Sequence, residues 1–376
     1  MKRILFISSN IHTPWGGSEV LWYKTAVFLK TQNSKVEVAV IAKKWPSVPS
    51  HIQEIADAGG IIYDFPVFPT TPLEYLKSKF RKPIESQKKI LLQRFSPDLM
   101  LHSMGKGFEG GDWMKIAHEL TIPYVNLIQL ASELQWPGNE EIELYRKGYK
   151  NAFRNFFVSQ DNRNVVCKQL GLEITNYDIV RNPISVSRKI LPYPELEEEY
   201  HLALPAALVP IHKGQDILFE VLAQTKWKRR PLHLNLFGTG NYNASLQYYC
   251  HYLGLKNVHF KGHSSNLEEV WRKNHILIMS SRMEGLPLTL IEAMSCGRAA
   301  IVTGVAGMKD CIQDGETGYI AQGAHPEYVD DALERAWQDR NHWQKMGVLA
   351  AERIKELIPF EPIEEFAQIL LSLLKG

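Results

Sequence analysis

The stretch Ile276-Leu277-Ile278-Met279 followed by Ser280-Ser281-Arg282-Met283-Glu284-Gly285-Leu286-Pro287-Leu288-Thr289-Leu290-Ile291-Glu292-Ala293-Met294-Ser295-Cys296-Gly297 decides how this chain is read. Its first four residues are an apolar run of the kind that forms a buried parallel strand. Leu288 to Met294 is helix-forming and ends at Gly297, which suits a helix C-terminus. The stretch is therefore a strand, a turn and a helix start. Such a turn aims the backbone N–H groups of Gly285, Leu286, Leu288 and Thr289, with Pro287 fixing the entry, at whatever lies beyond the strand end, and the helix dipole adds positive potential there. Glu284 in the loop can accept hydrogen bonds from hydroxyls. Glu292, about two turns into the helix, can reach a second set. Two polyol clamps flanking an anion seat fit the outline of a nucleotide sugar.

Working outward, the segment Leu208-Val209-Pro210-Ile211-His212-Lys213-Gly214 follows another strand-like run. Lys213 there is a point cation suited to a diphosphate. Near the N-terminus, Ser8-Ser9-Asn10 closes a first strand, and Trp15-Gly16-Gly17-Ser18-Glu19 precedes a helix. Paired glycines permit close approach of a ligand to the backbone; a tight turn with Ser18 as helix cap is the alternative. Phe237-Gly238-Thr239-Gly240 begins like a dinucleotide fingerprint, but the third glycine position holds Asn243, so that pattern fails.

The segment from Ser281 to Gly297 resembles the signature of the retaining glycosyltransferases of the GT-B fold, specifically glycosyltransferase family 4, whose two glutamates are separated by seven residues. The resemblance implies an α/β fold of two Rossmann-like domains facing each other across a cleft, with a C-terminal helix crossing back to the N-terminal domain. It implies a donor such as a UDP- or GDP-sugar and transfer with retention to a sugar, lipid-linked or small-molecule acceptor. Catalytic roles fall to Glu284, Lys213 and Gln129. Donor contacts fall to Gly16, Gly17, Gly238, His263, Arg282, Gly285, Leu286, Pro287, Leu288, Thr289 and Glu292. Two positions depart from the family pattern. Ala207 stands where a phosphate-binding arginine is expected, which leaves Arg282 and Arg181 as candidate substitutes. Gln129 stands where many members carry a histidine, with His102 after an earlier strand as another polar residue near that edge. A non-catalytic nucleotide-sugar-binding protein and a sugar-nucleotide epimerase stay open as alternatives.

The chain has 376 residues, enough for two domains of ordinary size. Strand-like runs alternate with helical ones in both halves: Ile4 to Ile7, Val36 to Ile41, Leu99 to His102, Tyr124 to Ile128 and Asn155 to Val158, then His201 to Leu208, Leu232 to Phe237, Val258 to Phe260, His275 to Met279 and Ala299 to Val302. The expected division is 1–183 with about 359–376 as the first domain and 184–358 as the second. Arg181 to Ile184 and the proline- and glutamate-rich Leu191 to Glu199 read as the connection.

A net charge of +2 gives no reason to expect nucleic acid as a partner. The cysteines Cys167, Cys250, Cys296 and Cys311 lack close pairs, so neither a disulfide framework nor a thiolate metal site is indicated, and reducing cytosol is the expected compartment. No Asp-x-Asp occurs, so no metal-bridged diphosphate is expected and no cofactor beyond the nucleotide sugar. Residues 76–95 carry Lys77, Lys79, Arg81, Lys82, Lys88, Lys89 and Arg94 interleaved with apolar residues. A solvated basic helix face is one reading, and peripheral contact with the inner surface of a membrane is the other. The glycine-rich Ser103 to Gly111 reads as a loop beside an acceptor.

Overall fold

The computed structural model describes residues 1–374 apart from His12, Trp15, Ser34, 65–82 and 196–198. The chain divides into two compact units, Met1–Pro183 with Glu361–Gly376, and Ile184–Phe360.

In the first unit the strands are β1 (Lys2–Ser8), β2 (Val36–Ala42), β3 (Ile61–Asp64), β4 (Leu99–Met104), β5 (Tyr124–Ile128), β6 (Arg154–Phe157) and β7 (Tyr177–Ile179). They form one sheet in the order β3-β2-β1-β4-β5-β6-β7, every pair parallel. Helices cover both faces, which is why central strands read as unbroken apolar runs. Ile4 and Phe6 enter one core with Trp22, Leu101 and Phe156, while Leu5 and Ile7 enter the other with Trp113, Met114 and Tyr149. The C-terminal helix Pro362–Leu373 belongs to this unit: Phe366, Ala367 and Leu370 are buried in the first of these cores, and the Phe366 ring meets Phe156 edge-on at 5.1 Å.

In the second unit the strands are β8 (Tyr200–Pro205), β9 (Leu232–Phe237), β10 (Val258–Gly262), β11 (Ile276–Met279), β12 (Ala299–Thr303) and β13 (Gly318–Ala321). Their order is β10-β9-β8-β11-β12-β13, again parallel throughout. In each unit the strand order reverses beside the first strand, between β1 and β4 and between β8 and β11. Ligands of open α/β sheets bind outside the carboxyl ends of strands at such switch points.

One expectation changes. The segment beginning at Leu191 is not a free connection: the Leu191 N–H bonds the Cys296 carbonyl, and Leu191 and Pro192 carbonyls accept from the fully buried Arg298 guanidinium. The second unit runs to Phe360, within two residues of the expected division at about 359, and Arg188 donates to the carbonyls of Ile358 and Pro359. Of the basic stretch, 65–82, and with it Lys77, Lys79, Arg81 and Lys82, lies outside the described residues. The rest forms the helix Ile84–Phe95, where Lys88 is buried against Asp112 and the Trp113 ring and Lys89 lies 3.7 Å from Glu119. Lys88 is thus neutralised within the unit, while Lys89 stays half-exposed beside Glu119. Among the described residues no helix is long and apolar enough to cross one.

Candidate functional site

The second unit's switch point is assembled from two turns. After β8 the chain makes the single helical turn Pro210–Lys213, then Gly214 at φ +65°, where a Cβ would stand 1.9 Å from the Ser280 carbonyl oxygen. Only glycine fits that approach, and it brings the Lys213 turn against the end of β11. The two loops are then stitched together. Arg282 N–H donates to the His212 carbonyl at 2.8 Å, Ser280 Oγ to the Gly214 carbonyl at 2.7 Å, and Thr303 Oγ1 at the end of β12 to the Ser281 carbonyl at 2.6 Å.

Within this frame Lys213 Nζ lies 2.6 Å from Glu284 Oε1, and the same oxygen accepts Ser281 Oγ at 2.8 Å. Glu284 is 5% exposed. Beyond it Gly285 is pinned by the Gly307 N–H, and the helix Leu288–Ser295 starts behind Pro287. Among the described residues nothing accepts the N–H groups of Gly285, Leu286, Leu288 or Thr289, while the Thr289 hydroxyl holds the Pro205 carbonyl at the end of β8. Glu292, also buried, receives the Ser185 N–H at 2.9 Å and the Ser185 hydroxyl at 2.6 Å on one oxygen, Oε1. Free amides, one cation and two carboxylates thus gather at one strand edge.

Gly238 follows β9 at the same edge; a Cβ there would meet the Ala206 carbonyl oxygen at 1.9 Å, and its N–H donates to the Gly262 carbonyl. His263, the next residue, is exposed. Ala207 is exposed at the end of β8, and its carbonyl accepts from Gln215, whose own side-chain oxygen is buried without a partner among the described residues.

The candidate replacements for the missing arginine are both engaged. Arg282 forms a two-pronged pair with Asp216, 2.8 Å on each arm, and also bonds the Pro210 carbonyl. The Asp216 hydrogen bonds raise its pKa. Arg181 lies in the first unit and donates to the Val158 carbonyl.

In the first unit the switch point holds Ser8 at the end of β1, Ser9 just after it and His102 on β4. Gly16 and Gly17 lead into a short turn, Gly17–Glu19, before the helix Val20–Gln32; Ser18 makes no cap bond, its hydroxyl turning to Glu19 instead. Glu19 is buried and accepts from Ser8 and from the Trp22 indole, and burial raises its pKa. His102 is fully buried, bonds Ser9 at 2.7 Å, and has a pKa lowered to about 3 by burial. It is thus a neutral packing partner and does not face solvent. Gln129 is paired amide to amide with Asn182, at 2.8 and 3.3 Å, with both residues buried. Its side chain is already satisfied, and Asn182, Ser185 and Arg298 are residues whose tethering roles sequence reading did not single out.

Residues 191–353 match the family described as Glycosyl transferases group 1. That span contains both glutamates and Lys213. Over 162 residues the chain is 33% identical to a D-inositol 3-phosphate glycosyltransferase of Paenarthrobacter aurescens, covering 41% of this chain and 39% of that protein. A second relative, the N,N'-diacetylbacillosaminyl-diphospho-undecaprenol alpha-1,3-N-acetylgalactosaminyltransferase of Campylobacter jejuni, is 22% identical over 346 residues, 86% of this chain and 88% of its own length. Among solved structures, Anabaena Alr3699/HepE in complex with UDP superposes with a TM-score of 0.75 at 15% identity, covering 99% of this chain and 100% of that one. The sucrose-phosphate synthase of Thermosynechococcus elongatus gives 0.72 at 16%, with 99% of each chain covered. The fold is GT-B, and the stretch 191–353 is similar to glycosyl transferases group 1, while the chain spans well under half the length of the first of these relatives.

Proposed function

We propose that the protein moves a sugar from a nucleotide-diphosphate donor to an acceptor hydroxyl with retention of anomeric configuration and without a metal ion. The observation that carries this is the meeting of Lys213, Glu284 and the unpartnered amides of 285–289 at the β8/β11 switch point, with Glu292 eight residues along the same segment. In this reading the amides, the helix dipole and Lys213 receive the diphosphate, Glu292 binds the ribose hydroxyls through the oxygen not held by Ser185, and Glu284 binds the sugar. The bond between the anomeric carbon and the diphosphate oxygen breaks. The acceptor oxygen bonds that carbon on the same face, and its proton passes to the departing diphosphate. Protein groups alone neutralise the leaving group, in keeping with the lack of any Asp-x-Asp in the sequence.

Gly16, Gly17, Gly238 and His263 are proposed as further donor contacts. Gln129, held by Asn182, is assigned to shaping its strand end and not to proton transfer. Arg282 is assigned to positioning the Lys213 turn. A non-catalytic nucleotide-sugar-binding protein is the second reading, and Ala207 is the observation in its favour.

The test is calorimetric titration with a panel of UDP- and GDP-sugars, followed by NMR of any product's anomeric linkage in the presence of chelator. Binding with turnover and an unchanged anomer supports the proposal. Binding without turnover to any sugar or lipid-linked acceptor favours the second reading, and an absolute requirement for magnesium or manganese removes the metal-independent mechanism.

A further inference from the structure

In the first unit, β5 runs out through Gln129 into the loop 130–138, which places two large apolar side chains in solvent: Leu134 is 66% exposed and Trp136 61%. Exposed single hydrophobic residues are common, but this pair is rigidly presented. Ala131 and Ser132 are buried at the base of the loop. Asn162 donates to the Ala131 carbonyl at 3.2 Å, and the buried Gln169 amide donates to the Ser132 and Gln135 carbonyls at 2.8 and 2.9 Å. Ser132 Oγ receives the Leu134 N–H, and the Trp136 indole N–H is fixed on the Glu133 carbonyl at 2.9 Å. The loop thus has its backbone clamped from below and its indole tethered by the polar edge.

The loop lies at the ligand-binding edge of its sheet. It leaves the carboxyl end of β5, and Leu130 packs beside Gly107 in the loop that leaves β4, itself held by the Tyr149 hydroxyl on the Gly107 carbonyl. The charge around it is balanced: Glu133 pairs with Lys168 at 3.1 Å and Glu143 lies 3.4 Å from Arg146, while Glu140 and Glu141 are followed in the sequence by Lys147. Such a surface offers no excess of positive charge to an anionic bilayer or a polyphosphate. A pyranose ring, with an apolar C–H face and uncharged hydroxyls, suits a tethered indole edged by acceptors.

We propose that Leu134 and Trp136 form a platform on which a sugar ring of the acceptor stacks, so that the acceptor is a glycan or glycoside. This rests on the glycosyl-transfer reading above. It adds the acceptor's class and its seat.

The experiment is saturation-transfer NMR on the full chain with methyl glycosides of glucose, galactose, mannose and N-acetylglucosamine, with UDP binding measured in parallel. At least one glycoside should receive saturation from the wild type; Trp136→Ala should weaken that binding about tenfold or more, Trp136→Phe should retain part of it, and UDP affinity should stay the same in all three. The proposal is overturned if no glycoside binds the wild type, or if Trp136→Ala binds as the wild type does. It is likewise overturned if the loop instead drives binding to phosphatidylcholine–phosphatidylglycerol vesicles that Trp136→Ala abolishes. Loss of UDP binding by the wild type would refute the function proposed for the second unit, so the two failures are told apart.

Discussion

Lys213 and Glu284 form an ion pair of 2.6 Å whose carboxylate oxygen is shared with the Ser281 hydroxyl. The pair closes the space between the β8 and β11 turns before any ligand enters. A donor must therefore replace one charged contact of Lys213 with another, its phosphate for the carboxylate, which limits the net gain but orients the ammonium beforehand.

Lys213→Ala should remove that cation and leave Glu284 buried without its partner. Turnover should fall by at least about a hundredfold, since losing one preorganised donor aimed at developing negative charge costs about 2.7–4 kcal/mol. The thermal midpoint should also drop. Steady-state kinetics and a melting curve check both, and Lys213→Arg with near-wild-type turnover would show that charge alone matters.

Glu292→Gln should weaken UDP binding by one to two orders of magnitude, as the ribose hydroxyls lose bonds worth about 1.5–3 kcal/mol. Ser185→Ala should have a smaller effect in the same direction, because Ser185 holds only Oε1 and its backbone N–H remains. Calorimetry with UDP measures both, and unchanged affinity in Glu292→Gln removes this residue from the site.

Acid should destabilise the protein through its buried histidines. His275 has a pKa lowered to about 4 and His102 to about 3, both by burial. A base whose folded pKa is depressed binds its proton more readily when unfolded, so stability is complete above the unfolded value near 6.5 and declines as pH falls below it. Thermal midpoints should therefore be level from pH 8 to 7 and fall steadily from pH 6.5 to 5. His275 stacks on His201, whose pKa burial also lowers, so protonation there also brings like charges together. His275→Asn should flatten part of the slope.

What the sequence disclosed follows burial. Every strand expected from the sequence is present; all but the edge strand β10 lie inside their sheets, where cover on both faces makes them appear as apolar runs. The three it did not disclose, β3, β7 and β13, are all short edge strands; Ile61–Asp64 and Tyr177–Ile179 contain no fully buried residue, so no apolar run marks them. In the site, the spacing of Glu284 and Glu292 and the glycine at 214 were legible, since turn and helix chemistry fix them locally. The partners were not. Arg282 pairs with Asp216 across 66 residues and Gln129 with Asn182 across 53, and no local pattern encodes such contacts.

Those pairings bear on Ala207, whose exposed position at the end of β8 leaves room for a longer side chain. Arg282 is held by Asp216 on both arms, so withdrawing it to a phosphate would leave Asp216 unpaired and loosen the turn that carries Lys213. Arg282→Ala should accordingly lower the melting temperature and turnover together, as Asp216→Asn should to a lesser degree. Ala207→Arg should instead tighten UDP binding, by about 1.5–3 kcal/mol if the guanidinium reaches the phosphates in a charge-assisted bond, while leaving stability nearly unchanged. Calorimetry and melting curves on the three variants separate the roles. If Ala207→Arg folds normally and does not bind UDP more tightly, the diphosphate does not lie against β8. If Arg282→Ala weakens UDP binding with no loss of stability, then Arg282 exchanges Asp216 for the ligand, and its pair with Asp216 is the resting state of a phosphate-binding arginine.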